Sequence, residues 1–214
     1  MVVRVLSLAI AASAVLNLRA VYAGDLYQEY LLKPLTTTLV LVLAAAVSPG
    51  PGASWRPAIV AGLVASIAGD VFLMPPGDRF VPGLGSFLIA HLCYVAAFTR
   101  GGWRASSWPA AACGLYVMTL LWWLLPHAGA HRIAVTIYGL AIGTMAWQAL
   151  ERWRDLRGAA PLAAAIGAVL FVLSDSALAA NRFVAPFTLA PLAVMGTYVP
   201  AQWLMALSAG GGRR

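Results

Sequence analysis

Long apolar stretches alternate with short polar connectors along the whole chain. Eight stretches predict helices that cross a bilayer, at 4–22, 32–48, 57–74, 82–99, 108–125, 133–150, 159–180 and 188–208. Each is close to the ~20 residues that a helix needs to span the hydrocarbon core. The strands of membrane barrels are shorter than these stretches. The pattern therefore predicts an all-α fold, a polytopic transmembrane helical bundle of about eight transmembrane helices.

Composition agrees with a membrane protein and leaves room for one domain. The 214 residues are 62% hydrophobic and 10% charged, whereas soluble domains are about 25% charged. We predict a single integral membrane domain over residues 1–214. The formal charge of +7 does not indicate nucleic-acid binding, because the basic residues lie between the apolar stretches and form no single patch. No oligomeric state is predicted.

The N-terminal stretch has two interpretations. Arg4, the apolar run after it and the small residues AVYA are typical of a secretory signal with its cleavage site. Asn17 and Arg19 interrupt that run, so we expect an uncleaved first helix. Cleavage would leave seven spans.

Basic residues set the orientation. Nine lie on the side of the chain ends: Arg4, Arg56, Arg100, Arg104, Arg152, Arg154, Arg157, Arg213 and Arg214. Five lie on the other side: Arg19, Lys33, Arg79, Arg132 and Arg182. Because Lys and Arg are enriched in cytoplasmic loops, we expect both termini in the cytoplasm, with the bundle in a bacterial-type plasma membrane.

Two aspartates inside apolar stretches are the leading candidates for chemistry. Asp70 lies near the end of the third stretch and Asp175 near the end of the seventh, which places both at similar depth in the outer half. A charge at membrane depth costs roughly 2.5–3.5 kcal/mol on insertion scales, so such residues are functional candidates. The alternative is a structural role, as hydrogen-bond hubs or ion-pair partners of Lys33, Arg79 or Arg182.

Helical spacing directs further polar residues to the interior. Gly62, Ser66 and Asp70 recur every four residues and so share one face. Small residues let helices approach closely, so we expect Asp70 to face into the bundle. Other polar side chains fall on stretches that run back inward: His91, Tyr94, Tyr138, Tyr198 and Gln202. They either line one pocket or join helices through hydrogen bonds, and His91 either acts in chemistry or is simply packed.

Signatures of metal and cofactor enzymes are missing from the sequence. His127 and His131 share a loop without a nearby third ligand, and Cys93 and Cys113 lie singly in apolar stretches. HExxH, GxSxG, Walker and GxGxxG patterns do not occur. We predict neither a metal site nor a cofactor.

Several blocks follow one another in a specific order. They are Lys33-Pro34, GDVFL around Asp70, GLGSFLIAHLCYVAAF from Gly83, YGLAIGTMAWQAL from Tyr138, GAVLFVLSDSALAANRF from Gly167, and TYVPAQWLMALS containing Tyr198 and Gln202. In order and spacing the chain resembles the YhhN family of integral membrane proteins, whose characterised members are lysoplasmalogenases. The resemblance covers nearly the whole chain except the loops and the first stretch.

The resemblance implies hydrolysis of the vinyl-ether bond of a lysoplasmalogen, a lysophospholipid of the membrane. The products would be a fatty aldehyde and glycerophosphoethanolamine or glycerophosphocholine. Two carboxyl groups of different proton affinity can divide acid and base roles, as they do in glycosidases, and we hypothesise that Asp70 and Asp175 form such a pair. The candidate substrate-binding residues are Lys33, Arg79 and Arg182 for the phosphate, and His91, Tyr94, Tyr138, Tyr198 and Gln202 for the headgroup or the water.

Two other classes of function remain open from the sequence. In a proton- or cation-coupled transporter, or a lipid-binding membrane protein, the aspartates would carry the ion. Such transporters often contain inverted repeats, and the sequence contains none that is evident. In a purely structural membrane protein, neutralising either aspartate would affect only stability.

Overall fold

The computed structural model describes residues 1–48, 54–74, 79–105 and 107–210. In these ranges the chain forms eight α-helices and no strand: α1 Val2–Ala23, α2 Leu26–Ala46, α3 Arg56–Phe72, α4 Phe80–Phe98, α5 Ser107–Leu124, α6 Arg132–Leu156, α7 Ala159–Ala179 and α8 Ala190–Ser208. Each helix corresponds to one predicted stretch, which confirms the all-α bundle. Arg213 and Arg214, which enter the count of basic residues, lie outside the described ranges.

Six helical stretches of the described chain are long and apolar enough to cross a membrane. They are Val2–Ala23, Leu26–Ala46, Phe80–Phe98, Trp108–His127, Gly129–Leu156 and Ala159–Val184. The helix α3, with 17 residues, and α8 are not among them. The chain is thus an integral, multi-pass membrane protein. Two of the eight described helices, α3 and α8, do not reach the length or the mean hydropathy of a membrane span.

Two helix boundaries differ by six residues from the sequence-based prediction, and the others by at most two. The helix α2 begins at Leu26 because Asp25 caps it: its carboxylate accepts hydrogen bonds from the backbone N–H and the side-chain amide of Gln28, at 3.0 and 2.7 Å. Gly24, with φ of 68°, ends α1 just before this cap. The helix α6 runs to Leu156, past the predicted end at 150, and Glu151 and Arg152 in this extension are buried against protein.

Close helix crossings depend on glycine. A Cβ atom at Gly62 would lie 2.4 Å from Cε1 of Tyr94, and one at Gly69 would lie 2.6 Å from Cε2 of Phe87. Only a residue without a side chain lets α3 approach α4 this closely. The stripe predicted from Gly62, Ser66 and Asp70 therefore faces the interior, and all three residues are buried.

Successive helices run in opposite directions. The starts of α2, α4 and α8 consequently meet the ends of α3 and α7 at one end of the bundle. We call it the far end, because the start of α1 and the end of α8 lie at the opposite one. Beyond Ala179, α7 continues in one π-helical turn, Ala180–Val184, closed by a hydrogen bond from the N–H of Ala185 to the carbonyl of Ala180. Such wide turns are frequent at functional sites.

Candidate active site

A cavity at the far end contains both membrane aspartates. Its volume is about 370 Å³, and Asp70 of α3 and Asp175 of α7 both lie in its wall. The other polar lining residues are Lys33, Ser174, Asn181, Arg182 and Tyr198. Leu73, Phe80, Phe87, Leu178, Val194 and Met195 supply the apolar part. Two acidic groups distant in the sequence thus share one chamber with two basic residues.

Asp70 is held by hydroxyl groups from two other helices. Thr37 of α2 and Tyr198 of α8 donate hydrogen bonds to its Oδ2 atom, at 2.6 and 2.8 Å. The Tyr198 oxygen in turn accepts a hydrogen bond of 3.1 Å from the amide of Gln202. The Gln202 carbonyl oxygen accepts one of 2.9 Å from Tyr94. The Asp70 side chain is therefore positioned by a chain of buried hydrogen bonds that crosses α2, α3, α4 and α8.

Asp175 is held by a tyrosine and a histidine. Tyr138 of α6 donates a hydrogen bond to its Oδ2 atom, and Nε2 of His91 lies 3.3 Å from the same oxygen and 2.8 Å from the Tyr138 hydroxyl. Because Tyr138 uses its only proton on Asp175, Nε2 of His91 must carry a hydrogen to bond either oxygen. His91 is fully buried, whereas 15% of the Asp175 side chain is exposed.

Asp70 and Asp175 accept side-chain hydrogen bonds through the same carboxyl oxygen atom. In the part of the chain that the structure describes, the side-chain hydrogen bonds to Asp70 and Asp175 all end on Oδ2. Among the described residues, no side chain bonds the Oδ1 atom of either carboxylate. Carboxyl groups fixed in the wall of a shared chamber can exchange protons with a substrate or a water there.

The basic residues of the cavity come from different elements. Lys33 lies on the second turn of α2 and is half-buried. Arg182 lies on the π-helical turn, with its guanidinium 4.0 Å from the centre of the Phe80 ring, a cation–π contact. Arg79 is the exposed residue immediately before α4, and the described cavity wall does not include it.

The structure divides the predicted site residues into three groups. Lys33, Asp70, Asp175, Arg182 and Tyr198 line the cavity. His91, Tyr94, Tyr138 and Gln202 lie behind the carboxylates, in the hydrogen-bond networks that hold them. Arg79 is separate from both groups. The second group therefore supports the aspartates and does not contribute to the polar wall.

Sequence analysis did not identify three polar residues near the carboxylates. Thr37 bonds Asp70, and it follows Lys33 by four residues, so the two share a helix face. Asn181 lines the cavity, and its Oδ1 accepts a hydrogen bond of 3.1 Å from the N–H of Phe187. Ser174 donates to the carbonyl of Val194 at 3.1 Å and so joins α7 to α8 beside the cavity. Thr37 had a signal in the sequence, its spacing from Lys33, and Ser174 had one as the neighbour of Asp175 in the seventh stretch.

A narrow apolar crevice adjoins the cavity, and the two share Leu73, Phe80, Phe87, Asp175 and Leu178 in their walls. It lies among α4, α5, α6 and α7, has a volume of about 60 Å³, and contains Tyr138 as well as Asp175. Among the described residues, no three His, Cys, Asp or Glu side chains are arranged to hold a metal ion.

Comparison with known proteins identifies the family of this chain and several relatives. The sequence profile of the YhhN family matches residues 28–209. Lysoplasmalogenase TMEM86B of Sus scrofa is 36% identical over 180 residues, which cover 83% of this chain and 74% of that protein. Lysoplasmalogenase TMEM86A of Homo sapiens is 39% identical over 158 residues, covering 71% and 64% respectively.

A bacterial relative shows the same similarity. The uncharacterized membrane protein YhhN of Escherichia coli O157:H7 is 30% identical over 173 residues, which cover 78% of this chain and 80% of that protein. No solved structure matches the chain. The family profile spans seven of the eight helices, from α2 to α8, and includes every residue in the cavity wall. This chain belongs to the YhhN family.

Proposed function

We propose that this protein is a membrane hydrolase that cleaves the vinyl-ether bond of lysoplasmalogens. The observation that carries the proposal is the shared cavity, in which Asp70 and Asp175 each have one carboxyl oxygen that no side chain of the described residues bonds. The relatives named lysoplasmalogenase support the choice of substrate. The products are a fatty aldehyde and glycerophosphoethanolamine or glycerophosphocholine.

The chemistry requires one acid and one base. A carboxylic acid transfers its proton to the vinyl carbon farther from the ether oxygen, and the carbon next to that oxygen becomes part of an oxocarbenium ion. The second carboxylate stabilises this cation and takes a proton from the water that attacks it, which gives a hemiacetal. The first carboxyl group, now a carboxylate, takes the hydroxyl proton of the hemiacetal, and the second, now protonated, gives its proton to the glycerol oxygen. The bond between the hemiacetal carbon and that oxygen breaks, and the aldehyde is released. One water is consumed, and the protons of the two carboxyl groups are restored.

The basic side chains in the cavity wall suit a phosphate headgroup. Lys33 and Arg182 stand beside the carboxylates in the cavity wall, and cationic donors bind phosphate through charge-assisted hydrogen bonds. A lysophospholipid with its phosphate at these residues would have its glycerol and vinyl ether next to Asp70 and Asp175. The reaction, as proposed, uses these side chains and water.

His91, Tyr138, Thr37 and Gln202 act as positioning residues in this proposal. They contact the carboxylates or the tyrosine beside them, and thereby hold the Oδ2 atoms in place. Acid–base catalysis is sensitive to such positioning, because a misplacement of about 1 Å costs up to about a hundredfold in rate.

We infer further that both termini face the cytoplasm of a bacterial-type plasma membrane. The side of the termini carries more Lys and Arg than the other side, nine against five, and this bias sets the orientation of membrane proteins. In that orientation the cavity opens at the outer face of the membrane.

Neutral, isosteric variants test the catalytic pair. We expect the purified wild type in detergent to release aldehyde from a lysoplasmalogen, and Asp70→Asn and Asp175→Asn each to lose at least about a hundredfold of that activity, within the range for loss of a general acid or base. Asp155→Asn is the matched control, because Asp155 forms an exposed ion pair with Arg104 at the opposite end.

The same assay separates this proposal from its competitors. A transporter would show no turnover in detergent, where there are no two compartments. Full activity in both folded aspartate variants would exclude the acid–base pair while leaving the substrate assignment intact.

A further inference from the structure

A second, larger opening lies between α1 and α8. It has a volume of about 450 Å³, against about 60 Å³ for the crevice beside Asp175. Its walls are almost entirely apolar, and small residues on both helices, including Ala11, Ala14 and Gly196, create the space. Ala11, Val15 and Gly196 are exposed, so the groove is open towards the lipid.

The length of the groove matches one lipid chain. It extends along α1 from Leu18 to Ser7, which is about 16 Å at 1.5 Å per residue. One leaflet supplies half of a hydrocarbon core that is about 30 Å thick, so a chain in that leaflet spans a similar distance. The groove closes at its inner end, where Nε1 of Trp203 donates a hydrogen bond of 2.9 Å to Ser7.

The groove begins at the wall of the reaction cavity. Met195 lines both openings, with Val194 and Tyr198 on the cavity side and Val199 on the groove side. A flexible methionine, unbranched and adaptable, thus lies in the wall of both openings. The polar cavity lies at the far end of the bundle, and the groove leads from that level towards the middle of the membrane.

We propose that this groove binds the hydrocarbon chain of the lipid substrate, which passes Met195 from the cavity. The proposal rests on the lipid hydrolase function proposed above. With the phosphate at Lys33 and Arg182 and the chain between α1 and α8, the vinyl ether lies at the junction, beside Asp70 and Asp175. The crevice among α4 to α7 has too little volume for a long chain. The α1 wall of the groove lies outside the residues that the family profile matches, 28–209, and the α8 wall lies within them.

Filling the groove tests the proposal. A Cβ atom at Gly196 meets no atom of the described residues within 4 Å, and Gly196 lines the groove, so we expect the ring of Gly196→Phe to occupy it. We expect kcat/KM for a hexadecenyl lysoplasmalogen to fall about tenfold or more, because methylenes kept out of the groove lose their burial. Activity towards a hexenyl analogue, whose short chain barely enters the groove, stays at the wild-type level.

A matched variant controls for the new phenylalanine. Gly114 lies inside α5, is exposed, and also has nothing within 4 Å of its Cβ. Gly114→Phe should leave the activity ratio of the two substrates unchanged. An activity ratio of the two substrates that stays unchanged in Gly196→Phe overturns the proposal. A loss of activity on the long-chain substrate in Leu120→Trp, which fills the crevice, and not in Gly196→Phe overturns it as well. A wild type that cleaves neither substrate overturns the proposed function instead.

Photo-labelling gives an answer that does not depend on catalysis. The probe is a saturated ether lysophospholipid, which cannot be hydrolysed as a vinyl ether, with a diazirine at the end of its chain. We expect the label on wild-type protein in residues 7–18 and 195–203, and its loss in Gly196→Phe. Label on α4 or α5 residues of the crevice, such as Leu84 or Leu120, contradicts the proposal.

Discussion

Tyr198 donates a hydrogen bond of 2.8 Å to Oδ2 of Asp70 and thereby joins α8 to α3 at the wall of the cavity. The same tyrosine oxygen accepts a hydrogen bond from Gln202, one turn further along α8. The orientation of the Asp70 carboxylate therefore depends on a helix more than a hundred residues away in the sequence.

Removing this hydroxyl should slow the reaction. We expect Tyr198→Phe to lower aldehyde release about ten- to a hundredfold, since a hydrogen bond to a charged group contributes about 1.5–3 kcal/mol. Tyr116→Phe is the control, because the Tyr116 hydroxyl contacts Ser176 at 2.9 Å in an exposed position outside the cavity wall. Equal rates in the two variants would show that the hydroxyl on Asp70 has no part in positioning it.

His91 should act through Asp175. His91→Phe keeps a ring that packs on Phe171, whose centre lies 4.8 Å from the imidazole, but removes the nitrogen next to Asp175. We expect kcat to fall with KM nearly unchanged, and His91→Gln to recover part of kcat because its amide N–H replaces the donor. Steady-state kinetics on both variants provide the measurement. A rise in KM alone would instead place His91 in substrate binding.

The basic residues should differ in their effect on substrate affinity. Lys33 and Arg182 line the cavity, whereas Arg79 stands outside the described wall. We expect Lys33→Gln and Arg182→Gln to raise KM about tenfold or more through loss of charge-assisted contacts to phosphate, and Arg79→Gln to match the wild type. A KM for Arg79→Gln as high as for the other two would restore the role that sequence analysis predicted for it.

The crossing of α3 and α4 should not tolerate a methyl group. A Cβ at Gly62 would lie 2.4 Å from the Tyr94 ring, so we expect Gly62→Ala to lower the free energy of unfolding by about 1–3 kcal/mol, as overpacking does. Gly114→Ala, with open space at its Cβ, should raise it by up to about 1 kcal/mol through helix propensity. Thermal unfolding in detergent compares the pair, and equal midpoints would contradict the close crossing.

The orientation of the protein in the membrane can be measured with fused reporter proteins. A fluorescent protein, which matures only in the cytoplasm, should be fluorescent when fused to the C-terminus. A periplasmic phosphatase should be active when inserted between Gly24 and Asp25, in the tight connection between α1 and α2. The opposite pattern would place the cavity at the cytoplasmic face and reject the inference from basic residues.

Much of the fold followed from local pattern. The eight apolar stretches became eight helices because a backbone in lipid must satisfy its hydrogen bonds within each segment. Boundaries were less accurate where polar turns continue a helix. Glu151 and Arg152 look like a loop in the sequence, but both are buried at the end of α6, with the Arg152 guanidinium 4.4 Å from the centre of the Trp55 ring. The resemblance to the YhhN family is confirmed.

The sequence by itself determined which residues are costly in a membrane, and hence that Asp70 and Asp175 face protein and not lipid. Helical periodicity added the stripe through Gly62 and Ser66. Only the tertiary structure decided which polar groups meet: that Tyr138 and His91 hold Asp175, that Thr37 holds Asp70, and that Arg79 stays apart. Periodicity determines the face of one helix, whereas the pairing of faces depends on how α2, α3, α6, α7 and α8 pack together. That packing is a long-range property that no local pattern contains.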